Sequence, residues 1–204
     1  MRFIEFKEKL KGFKIFSLTD IRKNDPDFDL RRLNEWQKKK YIKKIRKGWY
    51  IFSDLEIGEA GLFLIANKIY APSYVSLEMG LSQYNLIPEM VYGITCVTSQ
   101  KTASFKTEIG NFSYRHIKPE LMFGYELREQ GDYRYAIAEI EKTLLDYLYL
   151  NPKIKEKEDF DGMRFNYDEF EENADMKKWE KYLTAFGNKA LTVRAKKFIK
   201  YFNA

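Results

Sequence analysis

Residues 31–52 read RRLNEWQKKKYIKKIRKGWYIF, and few arrangements satisfy them. Leu33, Trp36, Tyr41, Ile42, Ile45, Trp49 and Ile51 call for a core, whereas the Lys and Arg between them call for solvent or an anion. A disordered basic tail lacks those apolar residues, and a plain core hairpin lacks the charge. Leu33 and Trp36 recur at helical spacing, and YIKKI and WYIF are short β-prone runs on either side of RKG. Gly48 can take the positive φ of a tight turn. The stretch therefore predicts a helix followed by a hairpin.

Two more helices are expected before it. Phe3, Phe6 and Leu10 share a helical face that ends at Gly12, and Ser17 with Asp20 three residues on suits a helix start with Leu18 and Ile21 inward. For the third helix the reading places Asp25 as cap and Pro26 in the first turn, with Asp27 and Asp29 at the positive end of the dipole. Its inner face is then Phe28, Leu30, Leu33 and Trp36. Three helices and a hairpin within residues 1–54 are the winged helix-turn-helix arrangement, whose third helix enters the major groove of double-stranded DNA. Arg31 and Arg32 would reach base edges, Arg being the common bidentate reader of guanine. Lys38 and Lys39 point outward, and Lys43, Lys44, Arg46 and Lys47 on the hairpin would face phosphates.

The charge distribution agrees. Residues 1–52 hold 16 Lys and Arg against 7 Asp and Glu, whereas the remainder holds 20 against 23. Such asymmetry points to nucleic acid or another anionic surface. A 204-residue chain, 45% hydrophobic, buries roughly 70% of its unfolded surface without needing disulfide or metal. Cys96, the one cysteine, sits in strand-like GITCVT and reads as a small buried hydrophobe. No apolar run is long enough for a membrane span and the first residues lack a signal-peptide core, so no membrane partner and a cytoplasmic location are expected.

Residues 55–204 read as a second, mixed α+β domain, giving an α+β class overall. GEAGLFLIANKIY is a helix pattern, and APSYVSLEMGLSQYNLIP a turn at Pro72 followed by a helix that Ser73 or Ser76 would cap. VYGITCVT, ASFKTEI, NFSYRHI, FGYELRE and YRYAIA predict an antiparallel sheet of four or five strands, with turns at Gly110 and Gly131. EIEKTLLDYLYL is a helix, and LTVRAKKFIKYF a last helix with one basic side. Residues 156–175, with nine acidic and two basic residues, are expected as a solvated loop and helix start. CxxC, HExxH, GxGxxG and P-loop patterns do not occur, so no catalytic residue, metal or cofactor is assigned. His116 reads as a packed or surface strand residue, and Glu139, Glu141, Lys142 and Asp146 as solvated charges on a helix.

Four segments resemble one family, the AbiEi antitoxins of abortive-infection type IV toxin–antitoxin systems. They are the helices and hairpin ending in YIKKIRKGWYIF, then ANKIYAPSYVSLEMGLSQYNLIPE, then ITCVTSQKTASFKTEIGNFSYRHI, then AIAEIEKTLLDYLYL, in the family's order and spacing across residues 5–150. Asn85 stands where the family usually has Gly, and Tyr41 replaces a Gly before the hairpin. The resemblance implies a two-part protein. Its winged helix would bind inverted repeats in its own promoter and repress the operon. Its second domain would counteract a nucleotidyltransferase-like toxin, without requiring a stable complex with it. It also marks Ser73, Tyr74, Ser76, Glu141 and Lys142 as a functional surface or, with Ser capping and Glu–Lys bonding between domains, as a fold signature. The alternative is an orphan winged-helix regulator or an RNA- or protein-interaction module without a toxin partner.

Overall fold

The computed structural model describes residues 1–203. It opens with α1 (Phe3–Leu10), β1 (Phe16–Ser17), α2 (Leu18–Asn24), α3 (Arg31–Lys38), β2 (Ile42–Arg46) and β3 (Trp49–Phe52). β1 and β2 flank β3 in an antiparallel three-stranded sheet, with Phe16 opposite Tyr50 and Ile42 opposite Phe52. Ser17 and Asp20 form the expected reciprocal cap of α2, Asp20 N–H donating to Ser17 Oγ at 3.1 Å and Ser17 N–H to Asp20 at 2.8 Å. Phe6, Phe16, Phe28, Leu33, Trp36, Ile42 and Phe52 close a core dense in rings, with Phe28 seated 5.4 Å from Phe6 and 5.7 Å from Trp36.

One strand is unforeseen and one expectation fails here. β1 is a two-residue strand, too short to carry a period. The third helix begins at Arg31, not after Asp25, because burying Phe28 draws residues 26–30 off a helical path. Leu30, expected inward, is therefore exposed. Asp29, not Asp25, meets the first turn by accepting the Arg31 N–H at 3.0 Å.

α3 ends in a Schellman motif. Tyr41 N–H donates to Trp36 C=O at 2.9 Å and Lys40 N–H to Gln37 C=O at 3.0 Å, while Lys40 takes φ 56°. Tyr41, in place of a Gly, packs its ring 4.6 Å from Phe3. The left-handed residue is thus Lys40, which has a Cβ to accommodate. We expect Lys40→Gly to raise stability by about 1 kcal/mol, read as a higher urea midpoint with unchanged slope. An unchanged or lower midpoint would show that the Lys40 backbone is unstrained.

The rest of the chain is organised around a six-stranded sheet. Its strands are β4 (Ser73–Val75), β5 (Ile94–Thr98), β6 (Ala103–Thr107), β7 (Gly110–His116), β8 (Tyr125–Gln130) and β9 (Tyr133–Ala138), in the order β6-β7-β5-β4-β9-β8. The five strands expected from sequence are present. β4 was hidden because three residues beside a proline show no alternation. The sheet is mixed, not antiparallel: β5 and β7 run parallel, as do β4 and β9. Neighbouring residues feed opposite layers. Tyr74, Val97 and Ala138 face one side, and Val75, Cys96 and Ile137 the other.

The second of these layers is covered by α4 (Glu59–Ile69) and by Ile15, Ile45 and Ile51 of the N-terminal unit, so the two parts share a core. The first is covered by α5 (Leu77–Gln83), α6 (Ile140–Leu150), α7 (Lys157–Gly162), α8 (Tyr167–Asn173), α9 (Met176–Phe186) and α10 (Lys189–Phe202). The acidic segment 156–175 is thus not a solvated loop. It forms α7 and α8, which bury Phe160, Met163, Phe165 and Phe170 while their carboxylates stay outside. Asn85 holds φ 53°, the left-handed turn a Gly would make. Among the described residues no helix is long and apolar enough to cross a membrane.

Candidate nucleic-acid interface

α3 buries Leu33 and Trp36, which turns Arg31, Asn34, Glu35 and Lys38 to the opposite face. Arg31 projects fully but is engaged: its guanidinium binds the Asp29 carboxylate at 2.9–3.1 Å and holds that carboxyl below its ordinary range. Arg32 is half-buried. Lys39 pairs with Glu35 at 2.7 Å, one turn back. Lys38, Lys40, Lys44 and Lys47 are exposed and Lys43 half-buried. Among the described residues none of these five lysines, nor Arg32, forms an ion pair.

Some of these groups converge on a cleft of about 680 Å³. Gln37, Lys40, Ile42, Lys43, Lys44 and Ser53 line it from the N-terminal unit and Glu108, from the β6–β7 turn, lines it from the second. Sequence reasoning placed Lys43 and Lys44 correctly on the hairpin. It missed Lys40, which enters the cleft only through the left-handed turn after α3, and Glu108, which is distant in sequence.

Arg46, expected to face phosphate, does not. Its Nη1 donates to Ile69 C=O at 2.5 Å, and its guanidinium lies over the rings of Phe105 at 4.1 Å and Tyr70 at 5.0 Å. The residue pairing slips between Lys44 and Arg46, so both Ile45 and Arg46 turn from solvent toward the large sheet. Arg46 is a clasp between the two units. We expect Arg46→Ala to cost about 2 kcal/mol in urea unfolding. Arg46→Lys should recover less than half of this, because Lys lacks the planar fork. Full recovery by Lys would reduce the clasp to a point charge.

The residues marked by the family pattern do not form a surface. Tyr74, Ser76 and Lys142 have no solvent exposure, and Ser73 and Glu141 are buried. Asp146 joins them at the centre of a closed network. It accepts from Tyr74 Oη at 2.9 Å and Ser76 Oγ at 3.0 Å, and pairs with the Lys142 ammonium, which also donates to Tyr74 Oη at 2.7 Å. The rings of Phe186, Phe123 and Tyr74 surround that ammonium at 4.9–5.3 Å. Burial pushes the Asp146 carboxyl up and the Lys142 ammonium down, and each partner opposes the other's shift.

Three expectations are corrected by this network. Lys142 and Glu141 bond within residues 55–204 rather than between domains: Lys142 pairs with Asp146, and Glu141 Oε1 accepts the Asp175 N–H at 2.7 Å at the start of α9. Ser76 precedes α5 but bonds Asp146 rather than capping the helix with its side chain. Glu141, Lys142 and Asp146 are core groups, not solvated helix charges. Glu139 remains partly exposed, bonded to Lys178 at 2.8 Å and to Tyr182.

No family model matches this chain, and no curated protein is significantly similar to it. Elsewhere, His116 lies on the surface with Nδ1 2.8 Å from Gln100 C=O. Cys96 is fully buried, and burial pushes its thiol far up. Among the described residues no His, Cys, Asp and Glu side chains gather into a metal-binding group.

Proposed function

We propose that the chain is a cytoplasmic DNA-binding autorepressor and the antitoxin of a type IV toxin–antitoxin system. Its N-terminal three helices and hairpin are read as a winged helix that meets inverted repeats in its own promoter. The observation that carries the DNA reading is the set of unpaired lysines, Lys38, Lys40, Lys43, Lys44 and Lys47, spread from α3 to the hairpin turn. Electrostatic contact with phosphates supplies most of the affinity of such modules, and unpaired cations supply it without breaking internal pairs. An RNA-binding reading asks for aromatic faces free beside the charge. Trp36 and Tyr50 are buried and Trp49 half-buried, so Tyr41, exposed on one side while packed on Phe3, is a single aromatic beside the charge rather than a stacking platform.

The antitoxin role, with a nucleotidyltransferase-like toxin as functional partner, rests on the sequence resemblance. The packing adds one consideration: its marker residues build the core that joins the large sheet to α6, so they serve the domain's fold. The test is a reporter fused to the DNA upstream of the gene, together with co-expression of the neighbouring gene. The proposal expects the chain to lower reporter output several-fold and to relieve growth arrest caused by the neighbour. Unchanged output removes the repressor role, and unrelieved arrest, or a neighbour without toxicity, removes the antitoxin role.

A further inference from the structure

The cleft between the two units has walls of opposite character. Lys40, Lys43 and Lys44 line one side with the amide of Gln37, while the exposed carboxylate of Glu108 lines the other. Among the described residues Glu108 makes no ion pair, so the facing lysines do not neutralise it directly. It is held where it is by the hairpin itself. Thr107 Oγ1 donates to Gly110 C=O at 2.8 Å and accepts the Ile109 N–H at 3.2 Å, which fixes the turn on which Glu108 rides. The Arg46 clasp then sets this edge of the large sheet against β2, with Phe105 of β6 beneath the guanidinium. Position is thus determined from both sides.

We propose that this cleft seats a phosphodiester backbone and that Glu108 is a repulsive determinant within it. The inference rests on the DNA-binding reading above. Lysines alone would hold any duplex with little regard to sequence. A carboxylate fixed on the far wall penalises a strand that settles deeper into the cleft. Its effect falls on loosely docked, sequence-independent complexes more than on a complex whose depth α3 has set, since unfavourable juxtapositions are a common source of specificity.

The experiment titrates duplex DNA from upstream of the gene, and a scrambled duplex of equal length, with the intact chain. Wild type, Glu108→Gln, Lys43→Gln/Lys44→Gln and Glu172→Gln are compared. Glu172 is exposed on α8, away from the cleft, and controls for net charge. At low salt Glu108→Gln should tighten binding to the scrambled duplex about five-fold, and to the upstream duplex less. The gain should shrink as salt rises. Lys43→Gln/Lys44→Gln should weaken binding to both, and Glu172→Gln should change neither. If wild type discriminates the duplexes but Glu108→Gln matches wild type or Glu172→Gln, the repulsive role is overturned while the DNA reading stands. If the double lysine variant binds as wild type does, the cleft is not the seat of the backbone. If wild type binds neither duplex, the underlying reading fails first.

Discussion

Asp146→Ala is expected to lower stability by about 3–5 kcal/mol, the usual cost of stranding one member of a buried ion pair. The Lys142 ammonium would then lie among the rings of Tyr74, Phe123 and Phe186 with no counter-charge, and the Tyr74 and Ser76 hydroxyls would lose their acceptor. Lys142→Met alone should also be costly, because it strands the carboxylate. The pair is best read by a double-mutant cycle. Lys142→Met/Asp146→Asn removes both charges and keeps an oxygen for the two hydroxyls. Its loss should be less than half the sum of Lys142→Met and Asp146→Asn measured singly. Additive losses in urea unfolding would show that the two charges do not act as a unit.

The second large effect concerns salt. If Lys38, Lys40, Lys43, Lys44 and Lys47 each neutralise one phosphate, log K should fall with log salt at a slope of about −4.5. Raising salt fourfold then weakens binding a few hundred-fold. Replacing two of them, in Lys43→Gln/Lys44→Gln, should reduce the slope to about −2.7. Arg46→Ala should leave it nearly unchanged, because that guanidinium is spent on Ile69 and Phe105. A slope near zero would remove phosphate contact from the account, and a large change with Arg46→Ala would return Arg46 to the interface.

Much of this fold was legible because local chemistry and tertiary structure agree. The Ser17–Asp20 cap, the helical rows of α1 and α6, and the turns at Gly48 and Gly131 each carry a signal within a few residues. What escaped depends on distant partners. The start of α3 depends on where Phe28 finds room between Phe6 and Trp36. The parallel β4–β9 pairing depends on where β4 inserts, and three residues give no register; the parallel β5–β7 pairing depends on β6 taking the edge outside β7. Charge was the least legible. Lys142 and Asp146, four apart on a helix, look like any solvated pair until α9, the loop carrying Phe123 and the large sheet close over them. Arg46 shares its spacing with Lys43 and Lys44, yet one slipped residue in the ladder sends it inward. The acidic run 156–175 concealed its phenylalanines behind its composition.

The central claim is that α3 and the hairpin distinguish one DNA sequence from others. The most direct test measures affinity for the DNA upstream of the gene and for a scrambled duplex, at two salt concentrations, with wild type and Arg31→Ala/Arg32→Ala. Arg31 is bonded to Asp29 and Arg32 is half-buried, so base contact requires the first turn to release them. The account predicts a clear preference for the upstream duplex, steep weakening with salt, and loss of the preference in the double variant while salt-sensitive binding persists. Equal affinity for both duplexes at both salts would contradict it and leave the lysines as a general anion surface.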